Sequence, residues 1–315
     1  MNARPLCLAL FVASMLGTTS FNVFAGGTTP AASTQPSASF RIGEMTAMSI
    51  NDGSLTEPND GKSFVTDQSP AAVATLLTKA GLPGDHVELA IHPLLVKAGT
   101  YVLLFDSGAG RYFGPASGKL PASLAQAGVD PATVTDIFIS HTHGDHIGGL
   151  VTMAGKLFFP KATIHMSAPE WQWLSHMKDA DGAKIGVPDV ERVVATIRSH
   201  VAAFQPGATV LPGLVKAVEI DGHTPGHSGY DIGTAPQDLF YVGDAMHSSV
   251  VSVEQPAWKI AFDNDPATAE ASRVALVPRL AASGQRIFAV HFPFPGVGKI
   301  VRKDGSYAWQ PELLP

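Results

Sequence analysis

Three histidines and one aspartate lie within the six residues HTHGDH (141–146). An apolar, β-branched run, TDIFIS, precedes this segment and predicts a strand, and a glycine-bearing turn follows it. Side chains two residues apart in extended backbone share a face, so His141 and His143 can bind one cation. The turn then directs Asp145 and His146 toward a second cation. The spacing therefore predicts a site for two metal ions.

The donor atoms of this segment narrow the choice of metal. Imidazole and carboxylate groups are present, and no thiolate lies nearby. This donor set favours zinc first, with manganese, iron, cobalt and nickel as further candidates. The alternative is a chance cluster on a solvated loop, but 12 histidines in 315 residues make so dense a pattern a rare accident. We therefore expect two divalent metal ions, with zinc as the first candidate.

The hexapeptide resembles the signature of the metallo-β-lactamase superfamily, and the chain carries counterparts of that family's other motifs. GHTPGH (222–227) is similar to the second histidine motif and puts His223 in the ligand position. Asp244 resembles the bridging carboxylate, and His291 stands at the position of the last histidine. Each of these three residues follows a short apolar run, as the hexapeptide does. For the ligands to converge, these four predicted strands must end at the same edge of a sheet. The fold implied is α/β, a single-domain αββα sandwich of two facing sheets with helices outside.

The resemblance also implies a role for each of these residues. The seven implied metal ligands are His141, His143 and His223 for metal one, Asp145, His146 and His291 for metal two, and Asp244 as the bridge. A metal-bridging hydroxide would attack the substrate, with Asp145 and Asp244 as the catalytic carboxylates. DSGAG (106–110) is similar to the family's Asp-x-Gly turn. We expect Asp106 to hold this loop, and His227 to orient a ligand, by hydrogen bonds.

Three further segments narrow the resemblance to the methyl parathion hydrolase branch of the superfamily. They are FGP (113–115), Trp173 and HFPFPGVG (291–298). This branch groups with secreted lactonases and aryl esterases, and a homodimer is usual in it. The substrate implied is a lactone, an aryl ester or a phosphotriester.

A neutral substrate of this kind requires an apolar wall beside the metals. We predict that Phe113, Trp173 and Phe292 form this wall and that His247 also lines the pocket. Tyr230 is a candidate donor to the developing oxyanion. The predicted substrate pocket consists of Phe113, Trp173, His247 and Phe292, and Tyr230 is not placed in it.

The amino-terminal residues predict export. Residues 1–25 contain Arg4, an apolar stretch and a small-x-small ending, which together indicate a signal peptide. The only cysteine, Cys7, lies in this segment. Residues 26–39 predict a disordered lead-in and residues 40–315 the hydrolase domain. We expect a periplasmic or secreted protein without stable membrane insertion. The net charge of −6 argues against a nucleic-acid partner.

Turn and capping signals predict the elements that carry these residues. Helices are predicted over 70–79, 189–204 and 266–282. SAPE (167–170) is a capping box that opens a further helix. The runs Val87 to Val96 and Tyr101 to Phe105 flank KAGT (97–100) and predict a hairpin.

Several other functions are open at this level. A true β-lactamase shares the histidine-rich rim, but its subclasses commonly lack a carboxylate where Asp244 stands. Glyoxalase II-like thioesterases keep that carboxylate, yet the export signal and the aromatic positions fit them poorly. Flavo-diiron oxidoreductases favour a carboxylate in place of His143. A secreted metal-binding domain without catalysis is the alternative from a different class, and the complete ligand set argues against it.

Overall fold

The computed structural model describes residues 34–233 and 238–314. Within these ranges the chain forms strands β1 (Ser37–Ile42), β2 (Met45–Ile50), β3 (Gly53–Pro58), β4 (His86–Ile91), β5 (Leu94–Ala98), β6 (Tyr101–Phe105), β7 (Asp136–Phe138), β8 (Thr163–Ser167), β9 (Val201–Phe204), β10 (Thr209–Leu211), β11 (Val215–Glu219), β12 (Ser228–Ile232), β13 (Leu239–Tyr241), β14 (Arg286–Phe288), β15 (Val297–Lys303) and β16 (Ser306–Pro311). It also forms α-helices α1 (Pro70–Lys79), α2 (Leu120–Gln126), α3 (Gly144–Ile147), α4 (Ala168–His176), α5 (Asp179–Gly182), α6 (Val190–Ile197), α7 (Val251–Glu254) and α8 (Pro266–Ser283).

Two seven-stranded sheets account for most of these strands. The first has the order β1-β2-β5-β6-β7-β8-β9, and the second runs from β10 to β16 in chain order. Strands β6 to β9 are parallel to one another, as are β13 and β14, while the other neighbours are antiparallel. Strands β3 and β4 form a separate hairpin.

Aromatic side chains fill the space between the two sheets. Phe105 and Phe138 of the first sheet stack with ring centroids 5.0 Å apart. Tyr241 and Phe288 of the second sheet stack at 5.7 Å, and Phe105 contacts Tyr241 at 5.6 Å. All four rings are completely buried. This layer holds the two sheets face to face.

Helices cover the outer face of each sheet. Leu124 of α2, Leu174 of α4 and Val193 of α6 pack in one apolar cluster with the outer side chains of the first sheet. Leu276 and Leu280 of α8 pack in another cluster with the second sheet. The predicted αββα sandwich is therefore confirmed. No helix within the described ranges combines the length and apolar character that a bilayer span requires.

Helix ends follow the predicted capping signals where the side chain can reach the backbone. Ser69 accepts a hydrogen bond from the third residue of its helix, and Lys79 closes α1. Asp265 caps α8 in the same way, and Gly284 ends it in the left-handed conformation with φ +63°. The predicted helices over 70–79 and 266–282 are confirmed to within one residue.

Three predicted boundaries are wrong. The helix predicted over 189–204 ends at Ile197, because 201–204 pair with β8 and complete the first sheet. Strands β5 and β6 form the predicted hairpin, but its first strand begins at Leu94 and not at Val87, because Pro93 has no N–H to donate and β4 pairs with β3 instead. Strand β1 begins at Ser37, inside the predicted disordered lead-in, because it pairs with β2. The predicted signal peptide (1–25) lies outside the described residues.

Candidate metal centre

The predicted ligands follow four strand ends that meet at one edge of the sandwich. The hexapeptide comes after β7, His223 after β11, Asp244 after β13 and His291 after β14. Strands β11, β13 and β14 run in the same direction, because β12 is antiparallel to both of its neighbours and β14 is parallel to β13. Their carboxyl ends therefore lie together. A short helix, α3, begins just after His143 and directs Asp145 and His146 to the same edge.

Three imidazoles converge in the first cluster. His223 Nε2 lies 3.1 Å from His141 Nε2 and 3.1 Å from His143 Nδ1. Asp244 Oδ2 is 3.6 Å from His141 Nε2 and 3.5 Å from His223 Nε2. All four potential ligand atoms lie within 4.8 Å of one another. This is the ligand set predicted for metal one, completed by Asp244.

Asp145, His146 and His291 form the second cluster. Asp145 Oδ2 lies 3.5 Å from His146 Nε2 and 3.4 Å from His291 Nε2. Asp244 reaches this cluster too, with Oδ1 3.2 Å from His146 Nε2 and Oδ2 3.1 Å from His291 Nε2. Asp244 therefore lies between the two clusters, where the sequence predicted a bridging carboxylate.

The spacing of these atoms fits bound zinc. Two ligands 2.0–2.1 Å from a tetrahedral zinc ion are about 3.3 Å apart, close to the separations in both clusters. His146 Nε2 and Asp244 Oδ1 are buried and make no hydrogen bond within the described chain, although they are only 3.2 Å apart. Buried polar atoms are rarely left without a partner. The donor set therefore suits two divalent cations.

Burial sets the protonation of the first cluster. It lowers the pKa of His143 to about 4, and it lowers the pKa values of His141 and His223 well below the ordinary histidine value. These imidazoles are therefore neutral at pH 7 and present lone pairs. Burial also opposes charge on His146, but Asp244, Asp145 and Asp106 outweigh it and raise the pKa of this histidine. The second cluster is thus the more negative of the two environments.

Hydrogen bonds on the far side of each ring fix its orientation. His146 Nδ1 donates to Asp106 Oδ2 at 2.7 Å, and His223 Nδ1 donates to Asp263 Oδ1 at 2.9 Å. His291 Nδ1 donates to a backbone carbonyl of β4 at 2.8 Å. Asp106 also accepts from Tyr241, and its backbone has φ +58°, a costly conformation for a residue other than glycine. The predicted structural role of Asp106 agrees with this geometry.

His227 holds the backbone of the bridging aspartate. The backbone N–H of Asp244 donates to His227 Nε2 at 2.9 Å, and His227 Nδ1 donates to the carbonyl of Ile220 at 3.1 Å. Burial lowers the pKa of His227 to about 4, which keeps Nε2 free to accept. Gly243 has φ +54°, and an added Cβ there would collide with the His227 ring. His227 therefore holds the backbone of Asp244, one of the predicted ligands.

An open cavity of about 460 Å³ lies above the two clusters. Phe113, Trp173 and His247 are in its wall, and Asp145, Asp244 and His291 are in its floor. The Phe113 ring packs so closely on Gly186 that any side chain at 186 would collide with it. The cavity is large enough for a small organic molecule, and it exposes that molecule directly to the candidate ligands.

Comparison with known proteins decides the family. The model of the metallo-beta-lactamase superfamily matches residues 88–291, a range that holds all seven predicted ligands.

The chain belongs to the metallo-beta-lactamase superfamily.

Two solved structures of this superfamily resemble the chain over most of its length. AidC, a dizinc quorum-quenching lactonase solved in complex with a product, is 30% identical, with 89% of this chain and 99% of AidC covered and a TM-score of 0.81. The hydrolase AbOPH is 28% identical, with 90% and 99% covered and a TM-score of 0.79. A probable metal-dependent hydrolase from Staphylococcus aureus, at 19% identity, 87% and 100% coverage and a TM-score of 0.69, shares the fold. No curated protein matches the chain.

Membership in the superfamily, together with the two clusters, makes the protein a metal-dependent hydrolase. The clusters and the dizinc relative indicate two metal ions. The ligand atoms of the seven predicted ligands converge in two groups, and a third group among the described residues joins His223 to His247 and Asp263.

One pocket prediction, Phe292, is wrong, and Tyr230 is not placed to act as an oxyanion donor. Phe292 is completely buried and packs edge-on against Trp309 at 5.0 Å, in the cluster beneath α8. Its neighbour His291 faces the second cluster, and the turn between Ala289 and Phe292 puts the Phe292 ring in the core instead. Tyr230 is also completely buried, and its hydroxyl donates to the carbonyl of Ile139 at 2.6 Å. Neither residue can contact a substrate in the cavity.

Sequence reasoning missed other residues of the site. Asp263 lies 40 residues from its partner His223, and no local signal pairs them. Phe262 and Glu57 also line the cavity. From residue type alone, a phenylalanine is expected in the core and an isolated glutamate on the surface, so neither residue was predicted in the site. Glu170 was explained by its capping box, yet its carboxylate is completely buried beside the metal-ligand loops.

Replacing the bridging carboxylate should remove metal and activity together. We expect Asp244→Ala to lose bound zinc and to reduce hydrolysis to background, because one side chain reaches both clusters. Metal content measured by mass spectrometry on the dialysed protein, alongside turnover, checks this. Asp231→Ala, which changes an aspartate on β12 that accepts from Gln285, is the matched control. Retained turnover in Asp244→Ala would refute the bridging role.

Proposed function

We propose that the protein hydrolyses a lactone, an aryl ester or a phosphotriester with two bound divalent ions, and that zinc is the natural metal. A lactone is the first candidate. The observation that carries this proposal is the cavity, whose wall includes Leu55, Leu89, Phe113, Trp173 and Phe262 and whose floor includes Asp145, Asp244 and His291. The similarity to a dizinc lactonase at 30% identity over 89% of the chain supports it.

Two divalent ions, when bound, lower the pKa of a coordinated water toward 7 and polarise the oxygen of the bond to be broken. The protein's part is to position and to move protons. Burial opposes ionisation of Asp145, but His146 and His291 outweigh it and lower the pKa of this carboxyl. Asp145 is therefore ionised at the cavity floor. Its carboxylate can accept a proton as the nucleophile forms and return that proton to the leaving oxygen.

His247 is the polar group best placed to contact a substrate. Its ring is buried, and neither ring nitrogen has a hydrogen-bond partner among the described residues. His247 Nε2 lies 3.3 Å from Asp244 Oδ2, and the ring packs against Phe262 at 5.7 Å in the cavity wall. A substrate oxygen above Asp244 would supply the missing partner. We therefore assign His247 to binding the substrate's polar end.

The charged residues of the cavity favour a neutral substrate over a β-lactam. β-Lactam antibiotics carry a carboxylate that needs a cationic partner. Lys184 lines the cavity, but its Nζ already lies 2.8 Å from Asp181 Oδ1. Burial and then Asp145 raise the pKa of Glu57, which indicates a wall that resists further negative charge. A neutral lactone or ester suits this wall better than an anion does.

We also propose membership in the methyl parathion hydrolase-like branch and export from the cytoplasm. FGP (113–115), Trp173 and HFPFPGVG (291–298) carry the resemblance to that branch, and Phe113 and Trp173 line the cavity. The amino-terminal pattern over 1–25 supports export to a periplasm or to the medium. The homodimer stays a prediction.

A substrate panel tests the proposed activity. The purified protein is assayed with lactones, aryl esters, a paraoxon-type triester, a thioester and a cephalosporin, with and without chelator. We expect lactone turnover that chelator abolishes and zinc restores, and no turnover of the cephalosporin. Cephalosporin turnover without lactone turnover would identify a β-lactamase. Turnover that survives complete metal removal would contradict the proposed chemistry.

The aromatic wall is tested by a pair of variants in α4. Trp173→Ala should raise KM for aryl esters about 10-fold and change kcat little, since an aromatic contact of about 1–1.5 kcal/mol is lost. Trp171→Ala is the control, because Trp171 packs away from the cavity against Arg198. Steady-state kinetics on both variants checks this. An unchanged KM in Trp173→Ala, or an equal rise in Trp171→Ala, would remove Trp173 from the substrate wall.

A further inference from the structure

Glu170 is a buried carboxylate whose four hydrogen bonds all come from the two loops that carry the first cluster. Its Oε1 accepts from the backbone N–H and the hydroxyl of Thr142 at 2.8 and 2.7 Å. Its Oε2 accepts from the Thr224 hydroxyl at 2.8 Å and from the Gly226 N–H at 2.9 Å. The residue is 0% exposed. Oε1 thus accepts only from the loop of the hexapeptide, and Oε2 only from the loop of the second histidine motif.

The positions of these donors connect Glu170 to the metal ligands. Thr142 lies between His141 and His143, and Thr224 directly follows His223. The three histidines have nitrogens that meet at 3.1 Å across the gap between the loops. A backbone bond from Ser228 to Ser140, at 2.9 Å, also joins the loops, but it lies on the strand side of these ligands. Glu170 is the side-chain link beside the ligands themselves.

The capping box does not account for this arrangement. In a capping box the glutamate reaches back to the backbone of the serine. Ser167 does accept from the Glu170 N–H at 3.3 Å, but the Glu170 carboxylate accepts from Thr142 and Thr224 instead. Ser167 also donates to the Gly226 carbonyl at 2.6 Å. The first turn of α4 is thus attached to the loop of the second histidine motif.

The first turn of α4 packs tightly against the loop of the second histidine motif at Gly226. An added Cβ at Gly226 would collide with Ser167 Oγ and with the backbone nitrogen of Glu170. A carboxylate is also the only side chain of this length that can accept on both sides, because an amide offers one acceptor oxygen and an NH₂ that donates. Burying it is costly, and its four neutral donors compensate. A residue that served only to begin a helix would not need this environment.

We infer that Glu170 is a positioning residue that sets the separation between His223 and the pair His141 and His143, and thereby the affinity for the first metal ion. The inference rests on the proposed two-metal site. The second cluster takes Asp145, His146 and His291 and receives no hydrogen bond from Glu170. Loss of the link should therefore weaken one metal site and leave the other.

The test compares Glu170→Gln with wild type in zinc binding. A glutamine side chain has one acceptor oxygen, so it can accept hydrogen bonds from only one of the two loops. Its NH₂ group would face a backbone N–H of the other loop, and two donors cannot form a hydrogen bond. Groups that orient metal ligands typically contribute 10- to 100-fold to affinity. We expect the dissociation constant of the first zinc ion to rise about 10- to 100-fold, measured by competition with a chromophoric chelator, and that of the second to stay within about 2-fold. Excess zinc should restore turnover, and the cobalt-substituted protein should show an altered visible spectrum.

Two further variants keep the test decisive. Asp136→Asn makes the same carboxylate-to-amide change at the opposite end of β7, where Asp136 accepts from His165 at 2.8 Å, and should leave both zinc affinities unchanged. Thr224→Val removes one hydrogen-bond donor to Glu170 and leaves the Glu170 carboxylate in place. It therefore tests the inference if Glu170→Gln does not fold. We expect it to weaken only the first site, by about 3- to 10-fold.

The inference is overturned if Glu170→Gln, or Thr224→Val where the former does not fold, binds both zinc ions as wild type does. It is also overturned if the two sites weaken equally, which would indicate a general structural role. These readouts use zinc alone and no substrate. Inactivity across the substrate panel with two zinc ions bound would therefore refute the proposed function and leave the role of Glu170 intact.

Discussion

The structure depends on holding the uncharged imidazole nitrogens His141 Nε2 and His143 Nδ1 each 3.1 Å from His223 Nε2. Lone pairs at that distance repel one another unless a cation lies between them. Burial keeps these rings neutral, so a proton does not readily relieve the repulsion. The free-energy cost of holding these nitrogens together must be offset by the packing of the rest of the fold and by binding of the metal.

The sandwich supplies the rigid frame for the arrangement. The stacked aromatic layer between the sheets fixes the strands, and the ligand-bearing loops leave those strands at one edge. Buried acceptors then determine the orientation of individual rings. Asp106 holds His146 and Asp263 holds His223, each through the ring nitrogen that faces away from the cluster. Asp263 is itself paired with the buried Arg273, which compensates its charge. The ligands are therefore set by contacts that extend well beyond the site.

Much of the metal centre could be predicted from the sequence, because each ligand is marked locally. The hexapeptide has diagnostic spacing, and His223, Asp244 and His291 each follow a short apolar run. The sandwich fold and two of its helices were also predictable, since Ser69 and Asp265 are ordinary capping residues. What the sequence left out depends on contacts between distant segments. Asp263 and Glu170 act on loops far along the chain.

The wrong predictions have the same physical origin. Phe292 follows a ligand directly, but the chain turns there, with the Phe292 N–H donating to the Ala289 carbonyl, and the ring enters the core beneath α8. The residues of β9 were predicted as helix, because their apolar types do not distinguish a helix from a strand that completes a sheet edge. For such residues, the segment that they pack or pair against determines the structure, and the local sequence does not reveal it.

Anomalous diffraction at the zinc edge, from crystals grown with excess zinc, tests the central claim most directly. We expect two peaks per chain about 3.5–4 Å apart, with Asp244 between them and His223 and His291 on opposite ions. A single peak, or zinc bound while His223, Asp244 or His291 points away from the hexapeptide, would contradict it.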